Sequence, residues 1–412
     1  MTQPACRFCR SPLTLDFLDL GDQPLANSYL SQATLDAGTE GHYPLHARVC
    51  EACFLVQVDD PVAFDVIFDD QYAYFSSYSA SWVAHAKRYA DSMVPWLGLD
   101  SNSLVMEIAS NDGYLLQHFA AKGIPVLGIE PTANTAAVAV ERGVPTEISF
   151  FNAATAADLA ARGITADLIA ANNVLAHVPD IADFVAGFPI VLKDEGVLTF
   201  EFPQLLTQIE LIQFDTIYHE HFSYLSLLSV EKVLAANGLK VFDVGLLSTH
   251  GGSLRLFCAH AGSAHRETLA LFDLRAREEE AGLASRVPYE QFATRAAGVR
   301  DGFLRFLDEA ERQDKSVAAY GAAAKGNTFL NYAGVTSDRI KAVFDASPHK
   351  QGRYLPGSHV PILAPSEVAR IRPDYLIILP WNLKGEIMEQ MAVIRGWGGK
   401  FVIATPHVEI LD

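Results

Sequence analysis

The chain has 412 residues, half of them apolar and 19% charged, so a globular protein of roughly two to four domains is expected and a disordered one excluded. Its 49 acidic against 31 basic residues leave a net charge of −18, which disfavours nucleic acid and acidic membrane surfaces as partners. No apolar run reaches membrane-spanning length, and the start, MTQPACRFC, has neither an apolar signal region nor a cleavage site, so a cytoplasmic protein with reduced thiols is expected.

Four of the five cysteines fall in two C-x2-C pairs, Cys6/Cys9 and Cys50/Cys53. In a reducing compartment such knuckles read as four thiolate ligands of one tetrahedral Zn²⁺. Four protein ligands leave no open position, so the zinc is structural. Between the pairs, residues 18–24 read as a strand and turn, and residues 44–58 as strand-like around the second knuckle. This unit spans 1–65. Cys258, in the strand-like stretch 254–258, is expected to be a buried apolar residue.

A helix over 79–98 leads into a second unit, 66–262. There, strands at 103–109, 125–130, 167–172 and 196–202 alternate with helices such as 132–142 and 181–192. That alternation argues for an α/β fold with a parallel sheet covered on both faces. Ligands of such sheets bind beyond the carboxyl ends of the strands. The first strand ends in Glu107-Ile-Ala109-Ser-Asn111-Asp112-Gly113, small residues that let backbone approach a ligand. The next ends in Glu130, which suits the two hydroxyls of a ribose. Asn172 and Asn173 end a later strand in the same crevice. No G-x-G-x-x-G fingerprint is present, and an acid opens the turn, so S-adenosylmethionine is favoured over NAD: it has no pyrophosphate, but carries a cationic amine and a sulfonium.

After the strand ending at residue 203 comes Gln213-Phe-Asp-Thr-Ile-Tyr218-His219-Glu220-His221-Phe-Ser-Tyr224, dense in groups that titrate or donate hydrogen bonds. It leaves the carboxyl end of the sheet and is expected to overhang the cofactor. A histidine there can accept a proton near neutral pH; spacing alone does not choose between His219 and His221. A metal on 219–221 is disfavoured because adjacent side chains diverge. His250-Gly-Gly is a glycine-permitted turn, a plain hairpin or a second wall of the site.

Residues 263–312 read as a charged helical connector. In the third unit, 313–412, strands at 316–320, 340–345, 375–380 and 400–405 alternate again with helices. It opens with Tyr320-Gly321-Ala-Ala-Ala-Lys325-Gly-Asn327. A small-residue turn into a helix, with a lysine beside it, can hold a phosphate. Lys350 and Arg353 follow the next strand, and cations gathered there in so acidic a chain point to an anionic ligand.

These pieces in this order resemble the sugar C-methyltransferases of deoxysugar biosynthesis. The carrying motifs are the two cysteine pairs with Asp19-Leu-Gly-x-Gln-Pro24, Glu107-Ile-x-x-Asn-Asp-Gly113, Phe214-Asp-x-Ile-Tyr-x-Glu-His-Phe222, His250-Gly-Gly252 and Tyr320-Gly-Ala-x-Ala-Lys325. The resemblance covers essentially the whole chain. It implies a class I methyltransferase Rossmann-like core between an N-terminal zinc-binding domain and a C-terminal Rossmann-like domain that helps hold a nucleotide diphosphate. It also implies methyl transfer to C3 of a nucleotide-linked 4-keto-6-deoxy sugar through a base-generated enolate. His221 would be the base, Tyr218 and Glu220 would support it, and His177 and Tyr74 would line the sugar pocket. Glu201-Phe-Pro-Gln204 stands where some members have a more acidic turn, which leaves an amino or hydroxyl group at C3 open. The nucleotide, dTDP, GDP or CDP, is not distinguished. A runner-up is an O- or N-methyltransferase acting on a sugar nucleotide. A monomer or weak homo-oligomer is expected.

Overall fold

Three β-sheets organise the chain, which a computed structural model describes at residues 4–59 and 75–412. The first is antiparallel, in the order Leu15–Gln23, Tyr43–Val49, Val56–Val58 and Ser223–Tyr224. Its last strand comes from the segment that carries the His-Glu-His cluster, so the cysteine-bearing unit and the catalytic candidates share a sheet. Burial alternates along Leu15–Gln23 except at two register shifts: between Asp16 and Leu18, where Phe17 and Leu18 both turn inward, and between Asp19 and Asp22, where Gly21 and Asp22 are both exposed.

The second sheet has seven strands, in the order Leu239–Leu247, Ser253–His260, Leu192–Pro203, Ala166–Asn172, Val105–Ile108, Val126–Ile129 and Thr146–Glu147. Ser253–His260 alone runs against its neighbours. A mostly parallel sheet with one reversed strand beside the edge is the class I methyltransferase core. The expected strands are present within a few residues of their predicted ends. Helices cover it. Ala80–Leu97 begins where the Ser79 side chain accepts the N–H of Trp82, and stops at Gly98, whose φ of 64° is left-handed. Ile181–Val191 is capped by Asp180, which accepts two N–H groups.

The third sheet has six strands, in the order Ile362–Leu363, Val343–Phe344, Val317–Tyr320, Tyr375–Ile378, Lys400–Ile403 and Glu409–Leu411, all parallel but the last. The helix Val287–Arg312 joins the units. It buries Tyr289, Phe292, Ala296, Val299, Phe303, Leu307 and Ala310, three or four residues apart and so on one face. Phe292 stacks on Phe17 of the first sheet at 4.3 Å, and Phe303 meets Phe329 of the third unit at 4.8 Å. One apolar core therefore runs from the first sheet to the third. Cys258 is buried, as expected. Among the described residues no helix is long and apolar enough to cross a membrane.

Candidate active site

The four cysteines gather as predicted. Both knuckles fold alike: the residue after each second cysteine, Arg10 and Phe54, takes a left-handed φ of 63° and 62° and returns its N–H to the carbonyl of Cys6 or Cys50. The Sγ atoms stand 3.6 Å apart for Cys6/Cys53 and 3.4 Å for Cys9/Cys50, and all four lie within 4.8 Å of one another. Sulfurs about 2.3 Å from a tetrahedral zinc sit roughly 3.8 Å apart, so the residues fit the metal.

In the cofactor crevice the turn after Val105–Ile108 is wound tightly: Ala109, Asn111 and Gly113 have φ of 56°, 49° and 76°. Glu130 holds that winding, its two oxygens accepting the N–H groups of Asn111 and Thr132 at 2.9 Å each. Gly128 is obligatory, because a Cβ there would lie 2.3 Å from Ser110 Oγ. Three acids crowd this turn. Asp112 pairs with Arg142 at 3.0 Å. Glu107 is fully buried, and neither of its oxygens is bonded at ordinary geometry by a described residue, although the Tyr114 hydroxyl stands beside it. Burial first, then the neighbouring Glu130 and Asp112, pushes its carboxyl well above the usual range. One oxygen of Asp112, Ser110 Oγ and the Oδ1 atoms of Asn172 and Asn173 are likewise buried without a partner among the described residues. Unmatched acids beside unmatched acceptors fit a cationic ligand with donor groups, which S-adenosylmethionine is.

The catalytic candidates converge from two loops. His221 Nδ1 donates to the Thr216 carbonyl at 2.9 Å, which fixes the tautomer and leaves Nε2 with the lone pair. The Tyr218 hydroxyl donates to that Nε2 at 2.8 Å. His177, from the loop after Ala166–Asn172, puts its ring 4.7 Å from His221 and donates Nδ1–H to the Glu220 carbonyl at 2.8 Å. Burial lowers His177 to about 4 and, with His177 beside it, takes His221 well below a free imidazole, so both rings are neutral at pH 7. His219 turns away to the Pro44 carbonyl at 3.2 Å, and Glu220 goes to Asn27. Three adjacent side chains thus reach three different partners. Tyr224 is buried and its oxygen accepts the N–H of Tyr218 at 3.3 Å. Tyr74 lies outside the described residues.

His250 has a left-handed φ of 55°, and Asn173 Nδ2 reaches its ring at 3.4 Å. Trp82 packs edge-on against that ring at 5.1 Å. The turn is therefore a wall of the crevice. Gly251 lets it approach the third unit, since a Cβ there would lie 2.3 Å from the Trp381 ring. Glu201 is buried, with one oxygen taking the Thr249 hydroxyl at 2.9 Å and the other paired to His85 and Arg255. It anchors the His250 turn and offers no free oxygen.

The two crevices of the sequence reading are one. Lys325 Nζ donates to Asn382 at 2.8 Å and lies 4.6 Å over the Trp381 ring, whose N–H donates to Asp215 at 2.7 Å. Asp215 belongs to the segment of Tyr218 and His221, so the lysine of the third unit faces the catalytic candidates. Gly321 is required where Pro380 crosses, 2.4 Å from where its Cβ would stand. Lys350 Nζ donates to the Ala322 carbonyl at 2.7 Å. Arg353 is exposed. Tyr320 turns its hydroxyl to Gln390 at 3.2 Å, on the sheet's other face, within the apolar core of the third unit. The sequence reading missed Asn27, Tyr29, Trp82, Trp381 and Asn382. Each is far along the chain from the motifs it serves, and none lies in a motif of its own.

A family model described as a C-methyltransferase C-terminal domain matches residues 248–406, a methyltransferase domain matches 82–244, and a zinc binding domain matches 6–68. The C-methyltransferase NovU of Streptomyces niveus is 35% identical over 407 residues, covering 99% of this chain and 96% of its own. Among solved structures, the 1,6-didemethyltoxoflavin-N1-methyltransferase of Burkholderia thailandensis is 16% identical over 50% of this chain and 94% of its own, with a TM-score of 0.37. The magnesium protoporphyrin IX methyltransferase of Synechocystis PCC 6803, solved with S-adenosylmethionine, is 19% identical over 43% and 81%, with a TM-score of 0.33.

Proposed function

The chain belongs to the S-adenosylmethionine-dependent C-methyltransferases with an N-terminal zinc-binding domain, and from that premise we propose that its acceptor is a nucleotide-linked 4-keto-6-deoxy sugar methylated at C3. The observation that carries the proposal is the Tyr218–His221 pair, a phenol donating into the lone pair of a tautomer-fixed neutral imidazole. It stands between an acidic turn suited to the cofactor and the Lys325 side suited to a diphosphate. A base so placed is needed when the acceptor is carbon. Methyl transfer to a hydroxyl or amine needs no carbon acid and leaves the C3 hydrogen in place.

The ketone at C4 acidifies the hydrogen on C3. The Tyr218 oxygen takes that proton as its own passes to His221 Nε2, and the C–H electron pair spreads onto the C4 oxygen as an enolate. Thr216 keeps the imidazole in the accepting tautomer. Bound S-adenosylmethionine supplies an electrophilic methyl carbon. Glu107, Asp112, Asn172, Asn173 and Glu130 are the groups that would hold it, and Lys325 and Lys350 would hold the diphosphate. His177 and His250 wall the sugar pocket and help exclude water. The chain acts in the cytoplasm as a monomer or weak homo-oligomer.

The test is mass spectrometry of a panel of sugar nucleotides, with and without a 4-keto group, incubated with S-adenosylmethionine. One methyl gained on carbon, by the keto sugars alone, is expected. Methylation of an oxygen or nitrogen, or of a sugar lacking the ketone, would replace this reading by O- or N-methyl transfer.

A further inference from the structure

The segment that carries His221 is gripped by the cysteine-bearing unit. The His219 ring meets Pro44 and lies 6.1 Å from Tyr43. Phe222 sits under the Arg7 guanidinium, 5.2 Å from it, and its carbonyl accepts the N–H of Val58 at 3.2 Å. Tyr224 pairs with Val56. Arg7 stands between the first two zinc-ligand cysteines, so the grip begins at the knuckle itself.

One contact in this set reaches the residue whose backbone carbonyl holds the His177 ring. Asn27 Nδ2 donates to Glu220 Oε1 at 2.7 Å, and among the described residues no other side chain hydrogen-bonds that carboxylate. Asn27 is itself held. Asn327 Nδ2 donates to the Ala26 carbonyl at 2.5 Å, Tyr29 donates its hydroxyl to the Ala322 carbonyl at 2.6 Å, and Leu30 and Tyr354 exchange two backbone hydrogen bonds at 3.0 and 2.9 Å. Lys350 lies 5.0 Å over the Tyr29 ring. The loop 26–30 thus bridges the base-carrying segment and the small-residue turn of the third unit, with the exposed Asn27 aiming the one amide side chain of the loop at Glu220.

We propose that Asn27 is a positioning residue of the methyl-transfer reaction: it fixes the Glu220 carboxylate, and with it the Glu220 carbonyl that holds the His177 ring beside His221. The proposal rests on the reading that Glu220 and His221 serve the chemistry. The physical reason is the setting of Glu220. Burial pushes its carboxyl up to about 7, and the Asn27 amide is the donor that favours the ionised form. The Tyr29 hydroxyl of the same loop also faces it, with Lys350 and Asp345 behind Tyr29, while the His177 ring bonds its backbone carbonyl. Without Asn27, the carboxylate loses the one side-chain donor it has among the described residues, and the loop carrying its carbonyl loses a tether.

The experiment compares Asn27→Ala, Asn27→Asp and Glu220→Gln with the wild-type zinc-loaded enzyme, reading kcat against pH, the Kd for S-adenosylmethionine and zinc content. Asn27→Ala is expected to lower kcat about tenfold or more while Kd and zinc stay at wild-type values. The limb of the kcat profile that belongs to Glu220 is expected to move up by about one pH unit. Asn27→Asp, which keeps the shape but replaces the donor by a carboxylate, is expected to move it further the same way. Asn27→Ser keeps a donor and a small side chain, and stands in if the alanine variant fails to fold. An impaired Glu220→Gln beside an Asn27→Ala with wild-type kcat and limb would overturn the positioning role and spare Glu220. A Glu220→Gln enzyme with wild-type kcat and profile would overturn the reading beneath it, and the proposal with it.

Discussion

The turn after Val105–Ile108 and the turn after Val317–Tyr320 use the same backbone device. In each, an acid at the end of the neighbouring strand takes an N–H of the turn: Glu130 from Asn111 at 2.9 Å, Asp345 from Ala322 at 2.8 Å. Their surroundings are opposite. The first turn gathers Glu107 and Asp112 with oxygens left unmatched. The second gathers Lys325 and Lys350, both held below a free lysine by burial. A strand, a small-residue turn and a helix thus give a place for a ligand, and a few side chains set its charge. In a chain of net charge −18, the lysines beside the second turn are the informative residues.

The sharpest way to break this comparison is to remove charge from one turn and watch both ligands. Glu107→Gln keeps the shape and discards the charge. Truncating one side of a buried charged contact costs about 2 kcal/mol or more, so the Kd for S-adenosylmethionine is expected to rise about thirtyfold or more. Its KM for the sugar nucleotide is expected to stay put. Calorimetry showing unchanged cofactor affinity would remove Glu107 from that site.

Lys325→Ala is the mirror experiment. A charge-assisted hydrogen bond is worth about 1.5–3 kcal/mol, so the KM for the sugar nucleotide is expected to rise about tenfold or more with cofactor affinity unchanged. If the cofactor weakens instead, the two turns do not divide the ligands by charge. Glu130→Ala is expected to weaken the cofactor about tenfold. Because Glu130 also holds Asn111 at its left-handed φ, its loss disturbs the turn as well as any ribose contact.

A smaller effect comes from protons. The Glu107 carboxyl sits well above the usual range when no cation is beside it. A bound cation favours its ionised form, so cofactor binding is expected to release up to about one proton, and affinity is expected to fall as pH drops through the raised value. Calorimetry in buffers of differing ionisation enthalpy measures that release. Glu107→Gln is expected to abolish it, and an unchanged release in that variant would assign the proton elsewhere.

Local features were legible in the sequence. Apolar runs ending in small and acidic residues located the strands and both turns, and the two C-x2-C pairs located the zinc ligands. What was not legible depends on contacts between distant segments. Nothing local places Trp381 against Gly251 or joins Lys325 to the segment of His221, so one site read as two crevices. Asn27 and Glu220 are 193 residues apart. Tyr320 illustrates the other limit. It opens the right motif, but alternation along its strand sends its hydroxyl to Gln390 on the far face. Spacing alone does not choose between His219 and His221; the family resemblance names His221, and in the structure His219 meets Pro44 while His221 meets Tyr218.

Proton exchange at the acceptor carbon tests carbanion chemistry most directly. Wild-type enzyme, given a 4-keto sugar nucleotide and S-adenosylhomocysteine in D2O, is expected to wash deuterium into C3, provided the proton on the base exchanges with solvent. His221→Asn is expected to bind both ligands yet lose this exchange, along with about 10²–10⁴-fold of methyl transfer. Tyr218→Phe is expected to lose exchange with it, since the phenol hands the C3 proton on to His221 Nε2, whereas His219→Asn retains it. Exchange that survives in Tyr218→Phe would mean His221 acts directly. A methylated product that keeps its original C3 hydrogen would contradict C3 methylation altogether and move the methyl group to a heteroatom.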